Sequence, residues 1–339
     1  MEKNDKFWSN IITILQVFAI TCVFVGHCTH IYSSWGWYSH NADVIPVWNY
    51  IHHFVYSFHM PLFVFLSGYL FYKKYNSQAG IFYLIQKRAK RLMIPFVFAG
   101  ALYYIPFLLV INPLNKTPYQ SVMDYLSLNF NGHLWFLMTL FVITVFFVLL
   151  QKINFDKNIY VRFLLFVALI VLNLLKYKGF QWCLIQVFLL AVYFYYGKLF
   201  VEYNNQILNI KNRPILYSII TFLWLVCVVL NVAYWYNKYI LLPTALVSIL
   251  FFYVTTSMIV ERWSQIVENR WIKYISANMM MIYIIHEPVM VTILKFLDWG
   301  NVITPYLTAP ILFVSTVLVV ALVLFLIKLL KSFLRFKTN

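Results

Sequence analysis

The chain has 339 residues, 63% of them hydrophobic and only 11% charged, with a formal net charge of +16. So much apolar surface excludes a soluble domain, and it falls in runs near the ~20 residues that cross a hydrocarbon core. The positive charge does not indicate nucleic acid as a partner, because Lys and Arg gather in short loops between the apolar runs, where a membrane protein carries them.

Ten spans are expected at about 9–31, 47–72, 88–111, 133–151, 159–175, 181–201, 214–236, 239–260, 275–297 and 306–330. Of the 26 Lys and Arg, 21 lie at the termini and in the loops on their side, and five lie on the opposite side. The positive-inside rule then makes both termini cytoplasmic, as an even number of spans requires. The expected fold is an all-α integral membrane protein, a bundle of about ten transmembrane helices. No linker, composition shift or internal repeat divides residues 1–339, so one domain is expected. Cys22, Cys28, Cys183 and Cys227 have neither metal-ligand spacing nor a paired pattern, and no metal is expected.

The first span carries His27 near its end and Gln16 eleven residues earlier. At about 100° and 1.5 Å per residue the two share a helix face, roughly 16 Å apart along the axis. A histidine inside a span is expensive to desolvate and marks a functional site by default. The outer segment 32–46 follows, with Trp35, Trp37, Tyr38 and His40 reading as an interfacial belt. The second span holds His59, then Pro61, which can kink the helix, and Ser67-Gly68, which reads as a close helix approach rather than a catalytic serine.

Lys87, Arg88, Lys90 and Arg91 stand at the inner mouth of the third span. Arg88 and Arg91, three apart, share a face and could grip phosphate bidentately, or serve as a topology anchor against anionic lipid. The segment 112–132 either lies on the membrane or folds back toward the site. His133 and Trp135 open the fourth span. The ninth holds Tyr283, His286 and Glu287 well inside the hydrocarbon region, where a carboxylate needs a partner or a proton.

These pieces resemble the acyltransferase family 3 membrane proteins, which O-acylate surface glycans and other acceptors, with the short fucose 4-O-acetylase type looking closest. The resemblance rests on Val25-Gly26-His27, Met60-Pro61-Leu62-Phe63 with Ser67-Gly68-Tyr69, Lys87-Arg88 with Arg91-Leu92 and Ile94-Pro95, His133-Leu134-Trp135-Phe136-Leu137, and Tyr283 with His286. It implies that His27 is catalytic and that Arg88 and Arg91 serve the acyl-CoA side. One departure is clear: the family usually carries Arg or Lys where this chain has Gln16.

The expected function is transfer of an acetyl group from cytosolic acetyl-CoA to a sugar hydroxyl of a cell-surface polysaccharide or lipid-linked glycan, in a bacterial cytoplasmic membrane. His27 would be general base or transient acyl carrier. His286 or His133 would stabilise the oxyanion or orient His27, with Glu287 holding a histidine tautomer. Lys87, Arg88, Arg91 and position 16 would face the donor, while His59, Ser67, Trp135 and Tyr283 would line the pocket. The alternatives are a transporter or flippase of a glycan intermediate, and a non-catalytic family member.

Overall fold

The computed structural model describes residues 2–34, 44–75, 78–111, 117–127, 132–155, 158–177, 180–235, 237–299 and 305–336. Trp35, Trp37, Tyr38 and His40 lie outside them. Among the described residues there is no strand, and nine helical stretches are long and apolar enough to cross a membrane. The fifth expected span, Ile159–Leu174, is a shorter apolar helix.

In chain order the helices are α1 (Glu2–His30), α2 (Pro46–Tyr56), α3 (His59–Lys73), α4 (Ile81–Ala99), α5 (Ile105–Ile111), α6 (Pro118–Leu126), α7 (Trp135–Lys152), α8 (Ile159–Leu174), α9 (Trp182–Glu202), α10 (Asn204–Leu208), α11 (Pro214–Ala233), α12 (Lys238–Arg262), α13 (Arg270–Trp299) and α14 (Pro305–Phe336). The second expected span is thus two helices, α2 and α3, which meet at Ser57-Phe58. Proline disturbs the carbonyl four residues before it, and Pro61 places that disturbance at Ser57. The third span begins at Ile81 rather than 88, because an amphipathic lead-in extends the helix outward past Lys87. Its far end loosens into a π segment, Gly100–Tyr104, before α5. Pro106 explains this, since it has no N–H to offer Leu102.

α1 is the central helix and packs against α2, α3, α12, α13 and α14. Ile11, Leu15, Ala19 and Val23 lie buried along it. α3 and α9 make the tightest helix pair at Gly68 and Gly197: a methyl on Gly68 would stand 2.1 Å from the Phe194 carbonyl oxygen, and one on Gly197 2.5 Å from the Tyr69 nitrogen. The expected packing role of Ser67-Gly68 is what this interface uses. α11 and α14 leave most of their apolar surface facing outward.

Ion pairs define one end of the bundle. Lys73 meets Asp5 at 2.9 Å, Lys6 meets Glu268 at 3.6 Å and Lys211 meets Glu261 at 2.5 Å. These tie the start of α1, the end of α3, the end of α12 and the turn before α13. Toward the other end, α6 folds back onto the π segment, where the Tyr125 hydroxyl donates to the Phe96 carbonyl at 2.9 Å. A capping box of Thr117 and Gln120 starts that helix. The described part of segment 112–132, residues 117–127 and Gly132, is tied to α4 through this Tyr125 bond.

Candidate active site

Three separate parts of the chain bring their polar groups together around one carboxylate. α1 supplies His27, the turn before α7 supplies His133, and the middle of α13 supplies Tyr283, His286 and Glu287. Glu287 is fully buried, and its Oε2 lies 3.1 Å from His133 Nδ1 and 4.0 Å from His27 Nδ1. The His286 ring stands 5.1 Å from both the His27 and the His133 ring, nearly perpendicular to each. Phe24, one turn before His27 on α1, stacks on His286 at 5.2 Å.

Helix geometry fixes the tautomers. Pro288 follows Glu287 and has no N–H, so within α13 it leaves the carbonyl of Ile284 without its usual donor. His133 Nε2 fills that vacancy at 2.9 Å, which requires Nε2 to carry a proton. A neutral His133 therefore turns a lone pair at Nδ1 toward the Glu287 oxygen. An ion pair with Glu287 across this 3.1 Å gap therefore needs a second proton on the ring. The Tyr283 hydroxyl donates back to the His133 carbonyl and closes the link between α13 and the turn before α7. That turn begins at Gly132, whose φ of +50° only glycine adopts freely.

His286 is fixed in the opposite sense. Its Nδ1 lies 2.6 Å from the Tyr283 carbonyl and must donate, so Nε2 keeps a lone pair, buried and without a hydrogen-bond partner among the described residues. His27 is the most open of the three imidazoles, with its side chain 14% exposed. Its Nδ1 is sealed against Glu287, while Nε2 neither bonds to a described residue nor is sealed in. The arrangement presents one accessible basic nitrogen, backed by a carboxylate that can take up charge on the ring. That is the equipment for removing a proton from a hydroxyl.

The remaining expected residues lie apart from this cluster. His59 donates from Nδ1 to the Val55 carbonyl at 2.9 Å and braces the break between α2 and α3. Ser67 stands beside Gly68 on the α3–α9 interface. Trp135 is half-buried and packs edge-on against Phe136, and it is Phe136 that reaches the Tyr283 ring at 5.7 Å.

Gln16 accepts a hydrogen bond from Ser276 of α13 at 3.1 Å. Arg88 turns inward, its Nε donating to Thr144 of α7 at 3.2 Å, whereas Arg91 and Lys87 are exposed and the Lys87 ammonium lies 5.9 Å from the Tyr83 ring centre. Among the described residues no three His, Cys, Asp or Glu side chains converge as a metal site.

Sequence reasoning passed over a second group of imidazoles. His30, His52 and His53 are all buried at the same end of the bundle, and His30 Nδ1 lies 3.4 Å from His52 Nε2. Trp235 stacks on His53 at 4.2 Å. The ring of Tyr56 links this group to His27. The signal was present in the run Tyr50 to Tyr56, where His52 and Tyr56 stand one helical turn apart.

A family model described as an acyltransferase domain matches residues 10–327. No curated protein and no solved structure matches the chain. The matched region runs from the start of α1 into α14 and includes every residue of the cluster, so this chain belongs to the acyltransferase 3 family of membrane proteins.

Proposed function

We propose that this membrane acyltransferase moves an acetyl group from acetyl-CoA, on the side of the ion-paired end, to a sugar hydroxyl of a cell-surface polysaccharide or glycolipid. The observation that carries the reading is the open Nε2 of His27 with its Nδ1 against a fully buried Glu287. The ion-paired end is the cytoplasmic one by its excess of Lys and Arg, and the membrane is the bacterial inner membrane. Arg88, Arg91 and Lys87 meet the phosphates of the donor, and the pantetheine arm runs inward along α1 past Gln16.

His27 Nε2 takes the proton of the acceptor hydroxyl as its oxygen attacks the thioester carbonyl. The carbon–sulfur bond breaks, and the thiolate takes the same proton back from the imidazolium, so the reaction is balanced without net proton release. Glu287 steadies the imidazolium while it exists, and His133 at 3.1 Å keeps the buried carboxylate from standing alone.

The test is transfer of radiolabel from acetyl-CoA to the glycan fraction of membranes that contain the protein, with mass spectrometry of surface glycan beside it. Wild type should label the fraction. His27→Ala should lower the rate by about 10²–10⁴-fold, the size of a general-base contribution, with membrane insertion intact. No transfer by wild type, or equal transfer by His27→Ala, overturns the reading.

A further inference from the structure

An acyl transfer puts negative charge on the carbonyl oxygen of the donor, and that charge needs a hydrogen-bond donor. Around Glu287 almost every donor is already committed to a backbone carbonyl. His133 Nε2 serves Ile284, His286 Nδ1 serves Tyr283, His59 Nδ1 serves Val55, and the Tyr283 and Tyr125 hydroxyls serve His133 and Phe96. The groups left over, His27 Nε2 and His286 Nε2, are acceptors and would repel an oxyanion. The inventory is short of a donor.

Tyr56 supplies one. Its ring meets the His27 ring edge-on at 6.5 Å. The residue is half-buried, and its O–H makes no hydrogen bond to a described residue and is not sealed in. It is also held firmly. His52 lies against the ring at 3.9 Å, His59 at 4.6 Å, and His30 stacks on it at 5.7 Å. A side chain on Gly26, the residue before His27, would collide with it at 2.8 Å. His52 Nδ1 lies 3.4 Å from the Gly26 carbonyl, which ties the clamp to α1 beside the base. A rigidly held, unspent donor next to the base is what a preorganised oxyanion site requires.

We infer that the Tyr56 hydroxyl donates a hydrogen bond to the thioester oxyanion of the tetrahedral intermediate, and that His30, His52 and His59 hold its ring in place for that contact. The assignment rests on the acyl-transfer reading above. Tyr104, a phenol that packs at 1% exposure beside Gly132 and His133, serves as the control.

The experiment compares Tyr56→Phe, Tyr104→Phe and wild type in membranes, with labelled acetyl-CoA and the glycan fraction as acceptor. Phenylalanine keeps the ring over Gly26, and thermal unfolding in detergent confirms that the fold survives. Tyr56→Phe should lower kcat about a hundredfold with KM for acetyl-CoA and for the acceptor unchanged, while Tyr104→Phe stays near wild type. Replacing Tyr56 by 3-fluorotyrosine keeps the hydroxyl and should hold kcat near or above wild type.

A Tyr56→Phe protein with wild-type kcat overturns the assignment alone, as does a loss confined to the acceptor KM. If wild type transfers nothing, the acyl-transfer reading fails and this assignment falls with it.

Discussion

At the ion-paired end, Lys6, Lys73 and Lys273 meet Glu268, Asp5 and Glu268 at distances between 2.5 and 3.6 Å, with every partner largely exposed. At the other end Glu287 is fully buried and shares one oxygen between two histidines. The first arrangement places full charges in water, where long side chains lose entropy in pairing and each pair is worth about 0–1 kcal/mol. The second places imidazoles out of water and fixes two of them, His133 and His286, with a carbonyl. The difference teaches two uses of polarity: charges mark one end of the bundle, while carbonyls freed or exposed by helix geometry select the tautomers of His133 and His286.

The comparison breaks most sharply at His133. Replacing it by Ala strands the Ile284 carbonyl and leaves Glu287 buried without the imidazole that lies 3.1 Å from it. Removing one member of such a buried pair costs about 3–5 kcal/mol, so His133→Ala should unfold in detergent far below wild type and lose acyl transfer. Pro288→Ala restores an N–H that can serve Ile284. In a double-mutant cycle it should recover part of the loss, by about the 1–3 kcal/mol of a stranded buried acceptor. Independent, additive effects of the two substitutions would show that the proline and the histidine are not coupled.

Much of the frame was legible in the sequence. Ten apolar runs were enough to place nine spanning helical stretches and one shorter apolar helix, and Pro61 foretold the break that separates α2 from α3. His27, His286 and Glu287 were legible as polar groups where a membrane tolerates few. The partner of Glu287 was not, because His133 bonds Ile284 across 151 residues and no periodicity records such a distance. Pro288 did carry a hint, since any proline in a helix leaves a carbonyl asking for a donor.

Arg88 and Arg91 show the opposite limit. A separation of three puts them on one face, yet one turns to Thr144 and the other to the exterior. That choice belongs to α7, which spacing within α4 cannot see.

Between the two ends lies Gln16, on the stripe of His27 but three turns nearer the ion-paired end, where its side-chain oxygen accepts from Ser276. If the donor passes this position, Gln16→Arg should lower KM for acetyl-CoA up to about tenfold with kcat little changed, since a charge-assisted hydrogen bond contributes about 1.5–3 kcal/mol. The check is acetyl-CoA titration of both proteins at matched expression. A fall in activity would mean that the new cation meets Arg88 or Arg91 instead. An unchanged KM would take Gln16 off the donor path and leave its bond to Ser276 as helix packing.

The smallest effect belongs to Glu268 at the opposite extreme of the comparison. Its carboxylate lies 2.5 Å from Lys273 and 3.6 Å from Lys6. The hydrogen bond and charge of Lys273, and then the charge of Lys6, hold its pKa below the ordinary carboxylate value. A depressed folded-state pKa favours the folded protein above the unfolded value, and that contribution disappears as pH falls through the folded one. Glu268→Gln should therefore change unfolding slightly near neutral pH and not at all once the wild-type carboxylate is protonated. Raised salt should shrink even the neutral-pH difference, because both partners stand in water within reach of counterions. Unfolding followed in detergent at neutral and acid pH, at low and high salt, reads all of this out. A large, salt-insensitive loss at neutral pH would show that Glu268 is integrated into the bundle as Glu287 is, and the contrast between the two ends would no longer hold.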